Sequence, residues 1–168
     1  MQIRQSPVNE NTLSNTAITI RLATVADIDD LVRLRRIMFQ SMGYTDVQVL
    51  DAGDVTAAAY FRETIPCGEF HGWLAVTPTG QAIGSGGAVI DRHPPGPSNL
   101  LGTSGYIMNV VTVPEFRQQG IAHQMMETIL DWLSEQGIRR ITLHASDMGH
   151  PLYQKLGFCA SNEMRLER

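Results

Sequence analysis

The apolar run Val110-Val111-Thr112-Val113 is stopped by Pro114, and Arg117-Gln118-Gln119-Gly120-Ile121-Ala122 then opens an amphipathic helix. This order of strand, proline turn and helix constrains the chain more than any other feature, because it sets a helix N-terminus at the carboxyl end of a strand. An arginine and a glycine are a poor first turn. The helix N-terminus already carries roughly half a positive charge, and Gly costs about 1 kcal/mol relative to Ala. A bound anion removes both objections: the free N–H groups of the turn hold a phosphate, Gly120 lets it approach the main chain, and Arg117 adds charge beside it.

The chain has 168 residues, enough for one domain with its own core. No apolar stretch reaches the about 18 residues of a membrane span. The polar start MQIRQSPVNENTLSN has neither a signal-peptide core nor an Arg-rich amphipathic pattern, which reads as cytoplasmic with no membrane partner. Two cysteines, Cys67 and Cys159, stand far apart in no ligand spacing, so they read as reduced thiols packed as small hydrophobes, with no metal site. A net charge of −4 argues against a nucleic-acid partner, since phosphate binding relies on clustered Lys and Arg. It mildly favours a cationic or neutral substrate.

Residues 1–16 read as a flexible leader, with a single domain from 17 to 168. A strand is expected over Ala17 to Leu22, and a helix follows the Thr24–Asp27 capping box to about Ser41. A second helix is expected over Val55 to Thr64, after a stretch from Met42 to Asp54 that shows no clear period. Gly72 to Val76 and Gln81 to Ile90 form a hairpin across Thr77-Pro78-Thr79-Gly80, and the Pro/Gly-rich segment Asp91 to Ser104 is a loop. Tyr106 to Val113 is the next strand, and the helix after it runs to about Gln136, where Gly137 ends it. Ile141, Leu143 and Ala145 alternate with Arg140, Thr142 and His144, the pattern of a half-buried strand. A short helix starts near Pro151 and ends at Gly157, and Phe158 to Leu166 reads as one or two closing strands. The elements imply an α/β fold with a mixed sheet and helices on both faces.

Ile83-Gly84-Ser85-Gly86-Gly87 lies inside a strand with no helix after it, so it is no dinucleotide fingerprint; close packing, or room for a ligand beside the sheet, fits it better. Arg117-x-x-Gly120-x-Ala122, in contrast, follows an apolar strand closed by a proline, and Leu152-Tyr153-Gln154-Lys155-Leu156-Gly157-Phe158 follows one strand later. These two motifs in this order, with the Arg21-Leu22-Ala23-Thr24-x-x-Asp27 opening, resemble the GNAT N-acetyltransferase superfamily over nearly the whole chain from about Ile18. The resemblance implies the GNAT fold, a mostly antiparallel central sheet of six to seven strands. It also implies acetyl-CoA as cosubstrate.

Carried onto this chain, the resemblance gives Val111 and Val113 the pantetheine contacts through their main-chain groups, with Thr112 facing the other way. The turn Gln118, Gln119, Gly120, Ile121, Ala122 and His123 then donates N–H groups to the pyrophosphate beside Arg117. Tyr153 is implied as the catalytic residue that protonates the departing thiolate. The family's frequent Asn seven residues before this tyrosine, and Ala four before it, are Ser146 and Gly149 here, so Ser146 offers the cofactor one hydroxyl in place of an amide.

Tyr106 to Val113 carries no carboxylate, which leaves Glu69, His71, Asp91, His144 and His150 as titratable candidates for a base, none singled out by the sequence. Cys159 has no histidine beside it in sequence, which favours direct transfer in a ternary complex over an acyl-cysteine. The implied activity is transfer of an acetyl group to a primary amine, on a small molecule or on a peptide. The competing reading is an acyl-CoA-binding or sensor module without catalysis. Relatives frequently pair as homodimers, and a homodimer is compatible with this chain.

Overall fold

A computed structural model describes residues 18–167. The expected leader lies outside the described residues. Five strands, β1 (Thr19–Leu22), β2 (His71–Val76), β3 (Ala82–Arg92), β4 (Thr103–Thr112) and β5 (Ile141–Leu143), form one sheet in sequence order. The first four are antiparallel and β5 joins β4 in parallel. Four α-helices accompany them: α1 (Ile28–Ser41), α2 (Val47–Cys67), α3 (Ile121–Glu135) and α4 (His150–Lys155).

Adjacent residues of β2 face opposite layers, as the pleat requires. A Cβ on Gly72 would meet Leu31 of α1, whereas the ring of Trp73 lies 5.3 Å from that of Trp132 in α3. Helices α1 and α3 therefore cover opposite faces. The buried stripe Ile121, Met125, Met126, Ile129 and Leu133 seats α3, each side chain contributing roughly 1.5–3 kcal/mol by burial. Thr24 and Asp27 form the expected capping box, and Arg21 of β1 donates to both oxygens of Asp27 at 2.7 and 2.9 Å.

The glycines of β3 are packing space. A Cβ on Gly86 would stand 2.7 Å from Ile129 Cδ1, and one on Gly84 would stand 2.9 Å from the Val111 carbonyl oxygen. On the other face, Gly87 leaves room for the fully buried ring of Phe70, which Phe61 and Tyr60 hold edge-on or tilted.

Three expectations are corrected. Helix α2 starts eight residues earlier than expected and ends three later. Asp46 caps it by accepting from Gln48 and Val49 N–H at 2.9 and 3.2 Å, and Gly68 ends it at φ +73°. Exposed Val47, Val49 and Val55 blur its buried stripe of Leu50, Ala57, Phe61 and Thr64, which is why the period was not legible. The sheet has five strands, because residues 158–167 form no ladder; Met164 and Leu166 are exposed and bury nothing against β5. Both cysteines are exposed, since Cys67 sits in the last turn of α2 and Cys159 follows α4 on the surface. No helix among the described residues is long and apolar enough to cross a membrane, and no cluster of three metal-ligating side chains occurs among them.

A methyl group at Gly87 has no space on the Phe70 side. Gly87→Ala is expected to lower stability by about 1–3 kcal/mol, seen as a lower urea midpoint with an unchanged slope; an unchanged midpoint would show that Phe70 yields freely.

Candidate active site

Strands β4 and β5 pair only from Gly105 to Ile107 against Ile141 to Leu143. Past that point they part into a fork, while β4 stays paired with β3 up to Thr112. A bulge accompanies the parting: the β3–β4 register shifts between Ser85 and Gly87, and Asn109 takes a positive φ of 56°. Ser85 Oγ holds the bulge by donating to the Asn109 carbonyl at 3.3 Å. The outer edge of β4 from Met108 onward faces the gap.

The bulge sets which main-chain groups face it. Val113 N–H donates to the Ile83 carbonyl at 2.9 Å and Val111 pairs with Ser85, so both turn their main-chain groups toward β3. By alternation Val110 and Thr112 turn theirs to the gap, one residue off from the expectation, because a bulge shifts the phase of everything after it. The Thr112 side chain is buried beneath the start of α3, and its Oγ1 is the buried side-chain oxygen left without a partner among the described residues.

Arg117, Gln118 and Gln119 are not in the helix, contrary to expectation. Gln118 and Gly120 both have positive φ, 60° and 80°, and α3 begins at Ile121 with Gly120 as its N-cap. The glycine is thus needed for a left-handed corner that other residues rarely adopt. A Cβ there would meet nothing within 4 Å. The N–H groups of residues 118–123 donate to no main-chain carbonyl, and no side chain caps the helix. They make a concave nest of donors at the positive end of α3. The Arg117 guanidinium is not free beside this nest. Its Nε donates to the Thr112 carbonyl at 3.1 Å and an Nη to Ser41 Oγ at 2.8 Å, because the extended backbone of Arg117 turns the side chain back to β4 and α1. His123 contributes its N–H, while its ring sits 3.2 Å from Glu127.

Helix α4 carries Tyr153, half-buried, whose phenol burial pushes above its ordinary pKa. The phenol therefore keeps its proton. Its ring packs edge-on to Phe158 at 6.0 Å and leans over Gly149, where a Cβ would stand 2.8 Å from Cε2. Ser146 Oγ accepts from Gly149 N–H at 3.2 Å, so Ser146 shapes the entry to α4 while its hydroxyl proton stays available.

The titratable candidates divide sharply. His71 stacks 4.3 Å from the Trp132 ring on the α3 face, and burial lowers its pKa, so it is a neutral packing residue. Glu69 and His150 are exposed outside the fork. Asp91 and His144 share an open polar cavity of about 440 Å³ with His93, Ser104, Tyr106, Arg140, Thr142 and Glu163. Tyr106 alternates with Gly105, whose Cβ would point at Leu133 of α3, so this cavity lies on the opposite face. There Tyr106 Oη lies 2.6 Å from His144 Nδ1. Tyr106 was missed from sequence, as was the positive φ of Gln118; the polar face of β5, Arg140, Thr142 and His144, was the visible signal for the cavity. A roomier cavity of about 630 Å³ lies between α1 and the end of β4, but its cation Arg33 is already bonded to Asp30 and to the Ala82 carbonyl.

A forked parallel pair with a donor-rich helix start at its open end can receive an anionic ligand that carries an extended arm. Residues 39–158 match the Acetyltransferase (GNAT) family, and the chain belongs to it. Among solved structures, a GCN5-related N-acetyltransferase from Ralstonia eutropha superposes with a TM-score of 0.83 at 28% identity, over 90% of this chain and 99% of that one. A protein of Clostridium acetobutylicum described as a predicted acetyltransferase and solved with acetyl-CoA gives a TM-score of 0.81, also at 28% identity, over 90% of this chain and 96% of that one. In sequence, the chain is 23% identical over 153 residues to the glucosamine 6-phosphate N-acetyltransferase of Trypanosoma brucei brucei, covering 89% of this chain and 95% of that protein. The protein is thus an enzyme of the GNAT N-acetyltransferase family.

Gly149→Ala is expected to push the Tyr153 ring off its seat and slow turnover about tenfold or more, with little change in melting temperature. Steady-state kinetics check this; unchanged turnover would show that the ring's seat does not matter.

Proposed function

We propose that this enzyme uses acetyl-CoA and transfers its acetyl group directly to the primary amine of a small hydrophilic molecule in a ternary complex. The observation that carries the reading is the nest of free N–H groups at residues 118–123, set at the open end of the β4–β5 fork. The residues present fit the cosubstrate: the nest suits a pyrophosphate, nothing crowds the missing Cβ of Gly120, and the gap-facing main-chain groups of Val110 with the N–H of Thr112 suit an amide-bearing arm, the Thr112 carbonyl being bonded to Arg117. Val111 and Val113 support the arm by anchoring β4 to β3.

When bound, acetyl-CoA supplies an acyl group activated as a thioester. Tyr153 holds its proton at Oη, which supports its role as donor to the departing sulfur; with a reference thiol pKa of about 8.5, the thiolate is only modestly weaker as a base than a phenolate. Ser146, just ahead of α4, has a hydroxyl proton to offer the same ligand. Cys159 is exposed with no histidine bonded to it, which supports transfer without an acyl-cysteine. The polar cavity on the far face from α3 suits a small hydrophilic acceptor, and the trypanosomal relative is named for such an amine.

Two measurements test the reading. Gly120→Glu places a carboxylate against the nest and is expected to weaken acetyl-CoA binding at least tenfold in calorimetric titration while the fold persists; unchanged affinity would refute the nest as the anchor. Tyr153→Phe is expected to lower kcat for acceptor-dependent thiol release by about 10²-fold at saturating substrates. Equal kcat would remove Tyr153 from the chemistry, and tight CoA binding with no amine-dependent release by the unmodified enzyme would leave a binding module.

A further inference from the structure

Resting on the reading above, we propose that His144 is the base that takes the acceptor amine's proton, and that Tyr106 positions its imidazole at the apex of the β4–β5 fork. Strand β4 carries no carboxylate past the apex, so the proton must go elsewhere. His144 is the residue directly after Leu143, the last paired residue of β5, and it lines the acceptor cavity. Asp91, the other candidate there, pairs with Ser104, two residues from Tyr106 along β4 and so about 7 Å farther from the fork.

The 2.6 Å contact between Tyr106 Oη and His144 Nδ1 forms in either tautomer, and the proposed base is the one in which Nδ1 carries the proton. With Nδ1–H donated to the Tyr106 oxygen, Nε2 keeps its lone pair and is the accepting atom. Burial raises the Tyr106 pKa, with Arg165 lowering and Glu163 raising it to a lesser degree, so the partner remains a neutral phenol whose oxygen can accept. The amine lone pair forms the new N–C bond and the thioester C–S bond breaks, its electron pair leaving on sulfur, which takes the Tyr153 proton. The amine N–H, made acidic by the attack, breaks with its electrons staying on nitrogen, and that proton forms a bond to Nε2. The exposed imidazolium then releases the proton to water.

The charges facing the pair come from every neighbouring element. Asp91 and His93 lie at the end of β3, Arg140 just before β5, and Glu163 and Arg165 in the tail. The two carboxylates favour a cationic acceptor, while the two arginines oppose it. A ring of both signs selects a small amine that is itself hydroxylated or anionic over an apolar one.

The test follows thiol release from acetyl-CoA against pH with glucosamine, glucosamine 6-phosphate, ethanolamine and tyramine. For the best acceptor, kcat/KM should fall on the acid side as one group protonates. His144→Gln should lose that limb and about 10²-fold in rate near neutral pH, with acetyl-CoA affinity by calorimetry unchanged. Tyr106→Phe should keep part of the rate and shift the limb to lower pH, since the imidazolium loses its acceptor. Nitrogen-15 spectra of the ligand-free protein should show His144 with Nδ1 protonated, and its titration should move to lower pH in Tyr106→Phe. An intact acid limb in His144→Gln, or a titration of His144 indifferent to Tyr106, would overturn the proposal while leaving the transferase reading in place. No acceptor-dependent release by the unmodified enzyme would overturn both.

Discussion

Everything in this site depends on how closely α3 can lie on the sheet. Gly84 and Gly86 strip β3 of side chains where Ile121, Met125 and Ile129 descend, and the contacts leave no room for even a methyl group at Gly86. Interiors are packed to crystal-like density, so a helix sits where the side chains beneath let it sit. With α3 seated this low, its first turn comes level with the end of β4. The nest of donors at residues 118–123 then faces the gap that β4 borders.

The fork is the second constraint and has a local origin. A bulge at Asn109 bends β4 and shifts its phase, Ser85 holds the bent carbonyl, and β5 is paired over only three residues. A longer ladder would close the gap. The short one leaves β4 with unpaired main-chain groups, which are costly unless something meets them. The same bulge separates two chemical surroundings: donors and the unpartnered Thr112 hydroxyl toward α3, and a cavity of titratable side chains on the opposite face.

Much of this was legible in the chain. The capping box at Thr24, the hairpin around Pro78, the ends of α3 and α4 at Gly137 and Gly157, and the motif around Tyr153 are local signals, and the structure places each element where those residues say, while the motif around Gly120 precedes its helix rather than opening it. What failed was either non-local or too weakly periodic. The start of α2 rests on one aspartate ahead of a helix whose valines face outward. The tail alternates poorly and finds no ladder. Arg117 looked like charge for an anion, yet it spends its donors on Thr112 and Ser41, and Ser41 lies 76 residues away.

The sequence by itself determined the order of elements, the glycine corner that opens α3 and the family to which the chain belongs, because turns, caps and motifs are written over a few neighbouring residues. Only the tertiary structure decided which main-chain groups of β4 face the gap, since a single bulge reverses the alternation. It also decided that Tyr106 and His144, 38 residues apart, share a hydrogen bond. Strand pairing brings such residues together, and pairing register is a property of two segments at once, which no local pattern in either one can specify.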